Sequence, residues 1–323
     1  MADHADDNDD GEVFVYRGGR APQHVTHVLI DKSVDVIEKN AFFNCEHLVK
    51  VETHNGIRTV GEWAFYNCPS LPHINLKSAV EIDGWAFHGC KNLGDVEFGE
   101  ELERIGGSAF CYCKSLTHLK LPSIVTIEAT AFSDCKRLTD IELSERLETI
   151  GARTFWSCKR LRRIAIPLKR DLTVYDIIFE KYNQFDYCEK LTTVDLVGGI
   201  HKTVASLHMD SWRAEMIAAI DRINQVLPNT PANEKTEVIR QWMEWVMDKM
   251  DHYKAEHCRH VKEGVTLLEL ALWKANLGEK EENCGEGRAK KAKVDAESSR
   301  KERRITCGAG TVIKNVLLFL QLE

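Results

Sequence analysis

The chain has no run of about 18 apolar residues, so the sequence offers no membrane-spanning helix. Its first ten residues, MADHADDNDD, hold neither the basic start nor the apolar stretch of a secretory signal. A cytoplasmic protein is therefore expected, with the nucleus open to it. Also missing are a GxSxG nucleophile elbow, a P-loop, a dinucleotide-binding glycine motif and paired carboxylates in a setting where chemistry would follow. No catalytic residue, metal ligand or cofactor is assigned, and the chain is expected not to be an enzyme. A basic excess is absent as well: 43 Lys and Arg against 50 Asp and Glu leave a net charge of −7, which disfavours nucleic acid as a general partner. Eleven cysteines would make a disulfide framework in a small secreted domain, but here the number is odd and the chain has 323 residues. Reduced thiols are expected.

What is present is a repeat. "AFYNCPSL" at 64–71 returns as "AFHGCKNL" at 86–93 and as "AFCYCKSL" at 109–116. The cysteines of this motif fall at 45, 68, 90, 113, 135, 158 and 188, with gaps of 23, 22, 23, 22 and 23 before a last gap of 30. A fixed period in this range marks a solenoid of leucine-rich units, the last one carrying an insertion. Three residues after each cysteine stands a leucine (Leu48, Leu71, Leu93, Leu116, Leu138, Leu161, Leu191), and three further on an Ile, Val or Leu. Two beyond that the residue is again apolar, with Thr53 the one exception. An L-x-x-I-x-L run of this kind predicts a short strand, and stacking it once per coil predicts a parallel sheet. Val25, Val28 and Ile30 fit the same template, giving about eight rungs and a sheet roughly 35 Å long.

Eight residues before each of the first six cysteines sits a β-branched residue, followed by Glu38, Gly61, Asp83, Gly106, Glu128 and Gly151 in strict alternation. The alternation points to duplication of a two-coil unit of 45 residues. The aromatic Phe42, Phe65, Phe87, Phe110, Phe132 or Phe155 then closes each coil, and the small apolar cysteine is read as packing.

The order F-x-x-C-x-x-L-x-x-I-x-L with its I-G-x-x-A-F lead-in resembles the BspA-type leucine-rich repeat family over about residues 25–196. The resemblance implies protein–protein contact or surface adhesion and brings no catalytic residues. The fold class expected is an α/β leucine-rich-repeat solenoid, a right-handed coil with a parallel β-sheet, followed by a C-terminal α-helical region.

Side chains between the buried strand positions should face solvent along the sheet. Down the ladder they are Lys50 and Glu52, His73 and Asn75, Asp95 and Glu97, His118 and Lys120, Asp140 and Glu142, then Arg163 with Ala165. From Asp95 and Glu97 onward the sign alternates between rungs. Neighbouring opposite charges make a self-neutralising ladder, and the same face is the candidate surface for a protein partner. No basic stripe runs along this face for a phosphate backbone to follow.

The organisation expected is a disordered acidic N-terminus at 1–12, the repeat solenoid with an N-terminal cap strand at 13–197, a helical cap or domain at 198–278, a disordered charged linker at 279–305 and a C-terminal helix at 306–323. "VFVYRGG" at 13–19 is read as a strand laid against the first rung. Trp212, Met216, Ile220, Ile223 and Leu227 share one face of a first helix. Thr230 with Pro231 is read as the start of a second, whose apolar side takes Val238, Trp242, Trp245, Met250 and Tyr253. Gly264 is expected to interrupt it before a third segment. His257 and His260, one turn apart, lack the spacing of a closed metal site. Arg300, Lys301, Arg303 and Arg304 close a basic segment that would serve a nuclear-import signal or a loose nucleic-acid contact, with solvated linker as the simpler reading. A monomer is expected.

Overall fold

The computed structural model describes residues 13–168, 184–197 and 210–282. The acidic first twelve residues, the insertion at 169–183 and everything from 283 onward, including the basic segment and the expected C-terminal helix, lie outside the described residues. The chain divides into two compact units, one ending at Asp251 and one beginning at His252.

The first unit is a parallel β-solenoid. Its front ladder runs through Val13–Tyr16, His27–Ile30, Lys50–Glu52, His73–Leu76, Asp95–Phe98, His118–Lys120, Asp140–Glu142, Arg163–Ile166 and Thr193–Leu196. The strand read from "VFVY" pairs in parallel with the first rung, Phe14 opposite Val28. The central apolar residues stay in register, Ile141 opposite Ile164 and Ile164 opposite Val194. The ladder is not one continuous sheet, as the repeat suggested, but segments of three, two and four strands. The first interruption falls at Thr53, whose hydroxyl donates to the Asn75 carbonyl at 2.6 Å and so occupies an acceptor of the next rung. The second follows Asp95–Phe98, where Val96 and Phe98 are only half-buried.

A second ladder was not foreseen. The β-branched residues ahead of each turn form two-residue parallel strands, with Ile37, Val60, Ile82, Ile105, Ile127 and Ile150 in register over six coils. The third side of each coil is a tight turn containing two residues in the left-handed region. Asn40 and Asn44, Trp63 and Asn67, Ser108 and Tyr112, Thr130 and Asp134, and Arg153 and Ser157 all have φ between 53° and 61°. Such a conformation is unfavourable for a residue with a Cβ, and here it aims alternate N–H groups along the solenoid axis. Phe42 N donates to Ala64 O at 2.6 Å, Phe65 N to Ala86 O at 2.7 Å and Phe87 N to Ala109 O at 2.7 Å.

Inside, Tyr16, Phe42, Phe65, Phe87, Phe110, Phe132, Phe155 and Phe185 form one column, with centroids 4.9 to 5.8 Å apart. The periodic cysteines do more than fill space. From Cys68 onward each thiol donates to the Phe carbonyl of the preceding coil: Cys68 to Phe42 at 3.1 Å, Cys90 to Phe65 at 3.0 Å, Cys113 to Phe87 at 3.2 Å, and so on to Cys188 and Phe155 at 3.2 Å, while Cys45 of the first coil donates to Pro22 O at 3.7 Å. A small apolar group with one donor suits a buried place beside a carbonyl with a lone pair to spare. All these cysteines are free, and burial pushes the Cys45 and Cys188 thiols up to about 12.

The Gly/acid alternation has a steric cause. A Cβ on Gly61 would sit 2.8 Å from Lys39 N, one on Gly106 2.5 Å from Gly84 N, and one on Gly151 2.2 Å from Ala129 N. The glycine coil therefore passes against the backbone of the acidic coil before it. The acidic partners turn outward to bond: Glu38 accepts from Gly19 N at 3.1 Å and Glu128 from Gly107 N at 2.9 Å.

The last coil has no further coil to satisfy it, and side chains of two helices take that place. These are α1, Asp210–Val226, and α2, Lys235–Glu282, joined through a 3-10 turn at Leu227–Asn229. Thr236 Oγ1 accepts from Phe185 N at 3.0 Å, and Asn224 Oδ1 accepts from Val194 N at 2.8 Å. The buried Lys235 ammonium donates to Leu191 O at 2.6 Å and Glu189 O at 3.1 Å. The expected apolar face of α1 is buried at Trp212, Met216, Ile223 and Leu227, with Ile220 half-buried. On α2 the buried apolar set is Ile239, Trp242, Val246, Met247, Met250 and Tyr253, and Trp242 Nε1 donates to Ala219 O at 3.0 Å.

Three expectations for the helices are corrected. The Thr230 hydroxyl donates back to Val226 O at 3.0 Å rather than capping the next helix, which begins at Lys235. Trp245 points outward, 38% exposed, under the cations of Arg222 and Lys249. Gly264 does not interrupt α2; a mid-helix glycine costs about 1 kcal/mol, and the surrounding helix formers carry it.

The second unit, in its described part, is the continuation of α2 from His252. Its polar face is laced by i,i+3 and i,i+4 pairs, among them Arg259–Glu263 and His260–Glu263. Leu267, Leu268, Leu270 and Trp273 are all more than half exposed.

Candidate functional site

The front ladder sets its outward side chains in a column, because residues flanking a buried strand centre face the other way. Lys50, Glu52, His73, Asp95, His118, Lys120 and Glu142 are exposed, while Asn75, Glu97, Asp140 and Arg163 are half-buried. Ala165 is the departure: it is buried, in register between Glu142 and Asp195.

Opposite charges meet on this face, some across rungs and some within one. Lys50 Nζ lies 2.6 Å from Glu52, His73 Nδ1 3.4 Å from Asp95, Lys77 Nζ 2.7 Å from Glu97, His118 Nδ1 3.5 Å from Asp140 and Arg163 Nη2 2.9 Å from Asp195. Lys50 bonded to Glu52 and Lys77 bonded to Glu97 hold those carboxyls below the usual range. Lys120 and Glu142 stand in register on adjacent rungs, yet neither makes an ion pair among the described residues. Exposed pairs of this kind are worth about 0–1 kcal/mol each. The face is thus neutralised without being locked.

A second charged cluster lies outside the back ladder and escaped the sequence reading. Arg104 reaches Asp83, Glu128 at 3.1 Å and Glu81 at 3.5 Å, so one guanidinium ties three coils. Arg58 pairs with Glu101, and Arg146 with Glu103 at 2.9 Å, each across two coils. The signal was the acidic half of the Gly/acid alternation, which faces the arginine opposite. On α2, His252 lies 3.6 Å from Glu256 and His260 3.7 Å from Glu263, and no cluster of three or more metal-ligating side chains occurs among the described residues. No described helix is long and apolar enough to cross a membrane. The basic residues Arg300, Lys301, Arg303 and Arg304 lie outside the described residues.

A buried apolar column, wound by one L-x-x-I-x-L rung per coil into stacked parallel strands, defines a leucine-rich-repeat β-solenoid. The chain belongs to the BspA-type leucine-rich repeat family: six copies of the family's repeat match, over residues 22–137 and 103–206. Among solved structures it is similar to a leucine-rich repeat protein of T. pallidum, 24% identical, covering 55% of this chain and 82% of that one with a TM-score of 0.45. A leucine-rich repeat protein of Bacteroides ovatus is 20% identical, covering 54% of this chain and 49% of that one, with a TM-score of 0.43. A leucine-rich cell surface protein of Faecalibacterium prausnitzii is 19% identical, covering 54% and 60%, with a TM-score of 0.28. Comparison with curated proteins found no match.

Proposed function

We propose that this chain is a non-enzymatic, intracellular protein-interaction scaffold, monomeric on its own, which docks a protein partner on the front ladder. The observation that carries the reading is the column of mixed charge from Lys50 to Arg163, held on a rigid stack and tied only by exposed pairs. A partner's charges replace such pairs at small cost, because each is already solvated and weak. Lys120 and Glu142, with no ion pair to break, are the first contacts expected. Alternating signs favour one register over its neighbours, which gives specificity more than affinity.

The test is affinity capture from native extract with the wild-type chain and with Asp95→Lys, Lys120→Glu and Glu142→Lys combined, followed by binding of the identified protein to both purified chains. Loss of a defined partner in the charge-reversed chain supports the scaffold. Unchanged capture places the function elsewhere, and recovery of nucleic acid that salt removes would instead favour the basic segment at Arg300–Arg304.

A further inference from the structure

On the turn side of the solenoid the two residues after each periodic cysteine change character along the chain. They are Glu46-His47 and Pro69-Ser70 in the early coils, then Lys91-Asn92, Lys114-Ser115, Lys136-Arg137, Lys159-Arg160 and Glu189-Lys190. The cysteines beside them are stacked and fully buried, so these residues are also stacked, and the lysines and arginines among them are exposed. Adjacent Phe rings behind the stripe are 5.0, 5.3, 5.7 and 5.8 Å apart. The cations therefore form a continuous basic edge about 20 Å long.

Among the described residues two of the stripe's cations have ion-pair partners. Lys136 lies 3.8 Å from Asp134 and Lys159 3.4 Å from Glu189, whereas Lys91, Lys114, Arg137, Arg160 and Lys190 make no ion pair among the described residues. Aromatic side chains rise beside them, separated by the buried cysteine: Tyr112 is 42% exposed, and Tyr187, edge-on to Trp156 at 5.4 Å, is 49% exposed.

We infer that this edge is a second docking surface, for an extended acidic segment of a partner protein that carries aromatic or aliphatic side chains between its carboxylates. The length suits about six residues of extended chain at about 3.3 Å each. Carboxylates meet the lysines and arginines, and the interleaved apolar groups meet Tyr112 and Tyr187. A short acidic segment fits better than a nucleic acid, because the net charge of −7 repels a long polyanion wherever it leaves the stripe. The inference shares with the scaffold reading only that the partner is a protein; its surface is separate from the front ladder.

The experiment is fluorescence anisotropy on the full chain, with a labelled peptide of about eight alternating Glu and Tyr residues. The same peptide with Gln for Glu and a single-stranded oligothymidine serve as comparison probes. The acidic peptide should bind, and more weakly as salt rises. Arg137→Glu with Arg160→Glu should lower the affinity about tenfold or more. The milder Arg137→Gln with Arg160→Gln should lower it less, with unchanged circular dichroism for both. The front-ladder variant should bind the peptide normally even if it loses its own partner, so the two surfaces fail independently. Absence of binding, equal binding of the Gln peptide, undiminished binding by the Arg137/Arg160 variants, or tighter binding of the oligothymidine would overturn the inference.

Discussion

The coils and the helix beyond Asp251 meet the same demands by opposite means. In the coils only part of each turn is satisfied locally, as where Ala41 N donates to Glu38 O and Cys45 N to Phe42 O; the strand donors, the alternate turn donors and most of the periodic thiols look to the next or the previous coil. In the helix every interior N–H finds its acceptor four residues back. A coil is therefore stable only in its stack, and its inward-facing Phe, Cys, Leu and Ile residues are almost wholly buried. The helix forms whether or not its leucines are covered, and from Leu267 to Trp273 they are largely exposed. Cooperation between repeats is what allows a coil of 22 or 23 residues to hold two bulky or polar residues in left-handed turns.

Substitution should separate the two regions most sharply at their apolar residues. Phe110→Ala empties the middle of the ring column and should cost about 3–5 kcal/mol in urea unfolding. Leu270→Ala, 55% exposed on the helix, should stay within about 0.5 kcal/mol. A large effect at Leu270 would mean that the helix face is covered in solution.

Gly151→Ala puts a methyl 2.2 Å from the Ala129 backbone nitrogen, and should destabilise by about 1–3 kcal/mol as the two coils part. At the junction of coil and helix, Lys235→Met leaves the carbonyls of Glu189 and Leu191 without their buried donor. A loss of about 1–3 kcal/mol is expected, with concentration-dependent association in sedimentation as the last coil opens.

Alkali offers a gentler comparison. Burial raises the thiols of Cys113, Cys135 and Cys158 above the ordinary 9.0, and those of Cys45 and Cys188 to about 12. The folded coils thus keep protons that the unfolded chain releases. This stability is full below pH 9.0 and is lost as pH rises toward about 12. Lys235, lowered by its burial, works in the other direction up to 10.5, but it is one group against a column. Urea midpoints measured above pH 9.0 should fall, and the signal of the described helix from His252 to Glu282, whose cysteine is the exposed Cys258, should respond less. One change should be a gain: Gly264→Ala, where a methyl meets open space, should strengthen the helix by up to about 1 kcal/mol in thermal unfolding.

The repeat was legible because each position has one physical task repeated with one spacing. Leu48, Phe42 and Cys45 announce their burial by period alone. The second ladder was harder to see, since two-residue strands such as Thr59–Val60 leave no alternation to read. The thiol donors were hidden because a cysteine in a buried column looks like packing until the carbonyl beside it is located. The mixed-charge face could be read from the strand pattern, residue by residue, but not which charges pair: Lys50 takes Glu52 of its own strand, while Lys77 takes Glu97 of the next coil. The basic edge stands in the pairs following each cysteine, but its residues follow no strict period, since Glu46, Pro69 and Glu189 occupy the place of the lysines, so composition by position does not mark it as a stripe until the coils are stacked. The capping role of Thr236, Lys235 and Asn224 has no sequence signature, because it depends on where the last coil meets the helices.

The close approach of each glycine coil to the acidic coil before it also sets a rule of parity. Gly61, Gly106 and Gly151 fit only beneath neighbours of the other type, so the array can lengthen or shorten by two coils, 45 residues, and keep every contact. A single coil gained or lost sets like against like: two Cβ atoms where there was space for none, or two carboxylates facing one guanidinium's place. Descendants of this chain that differ in length should therefore differ by even numbers of coils.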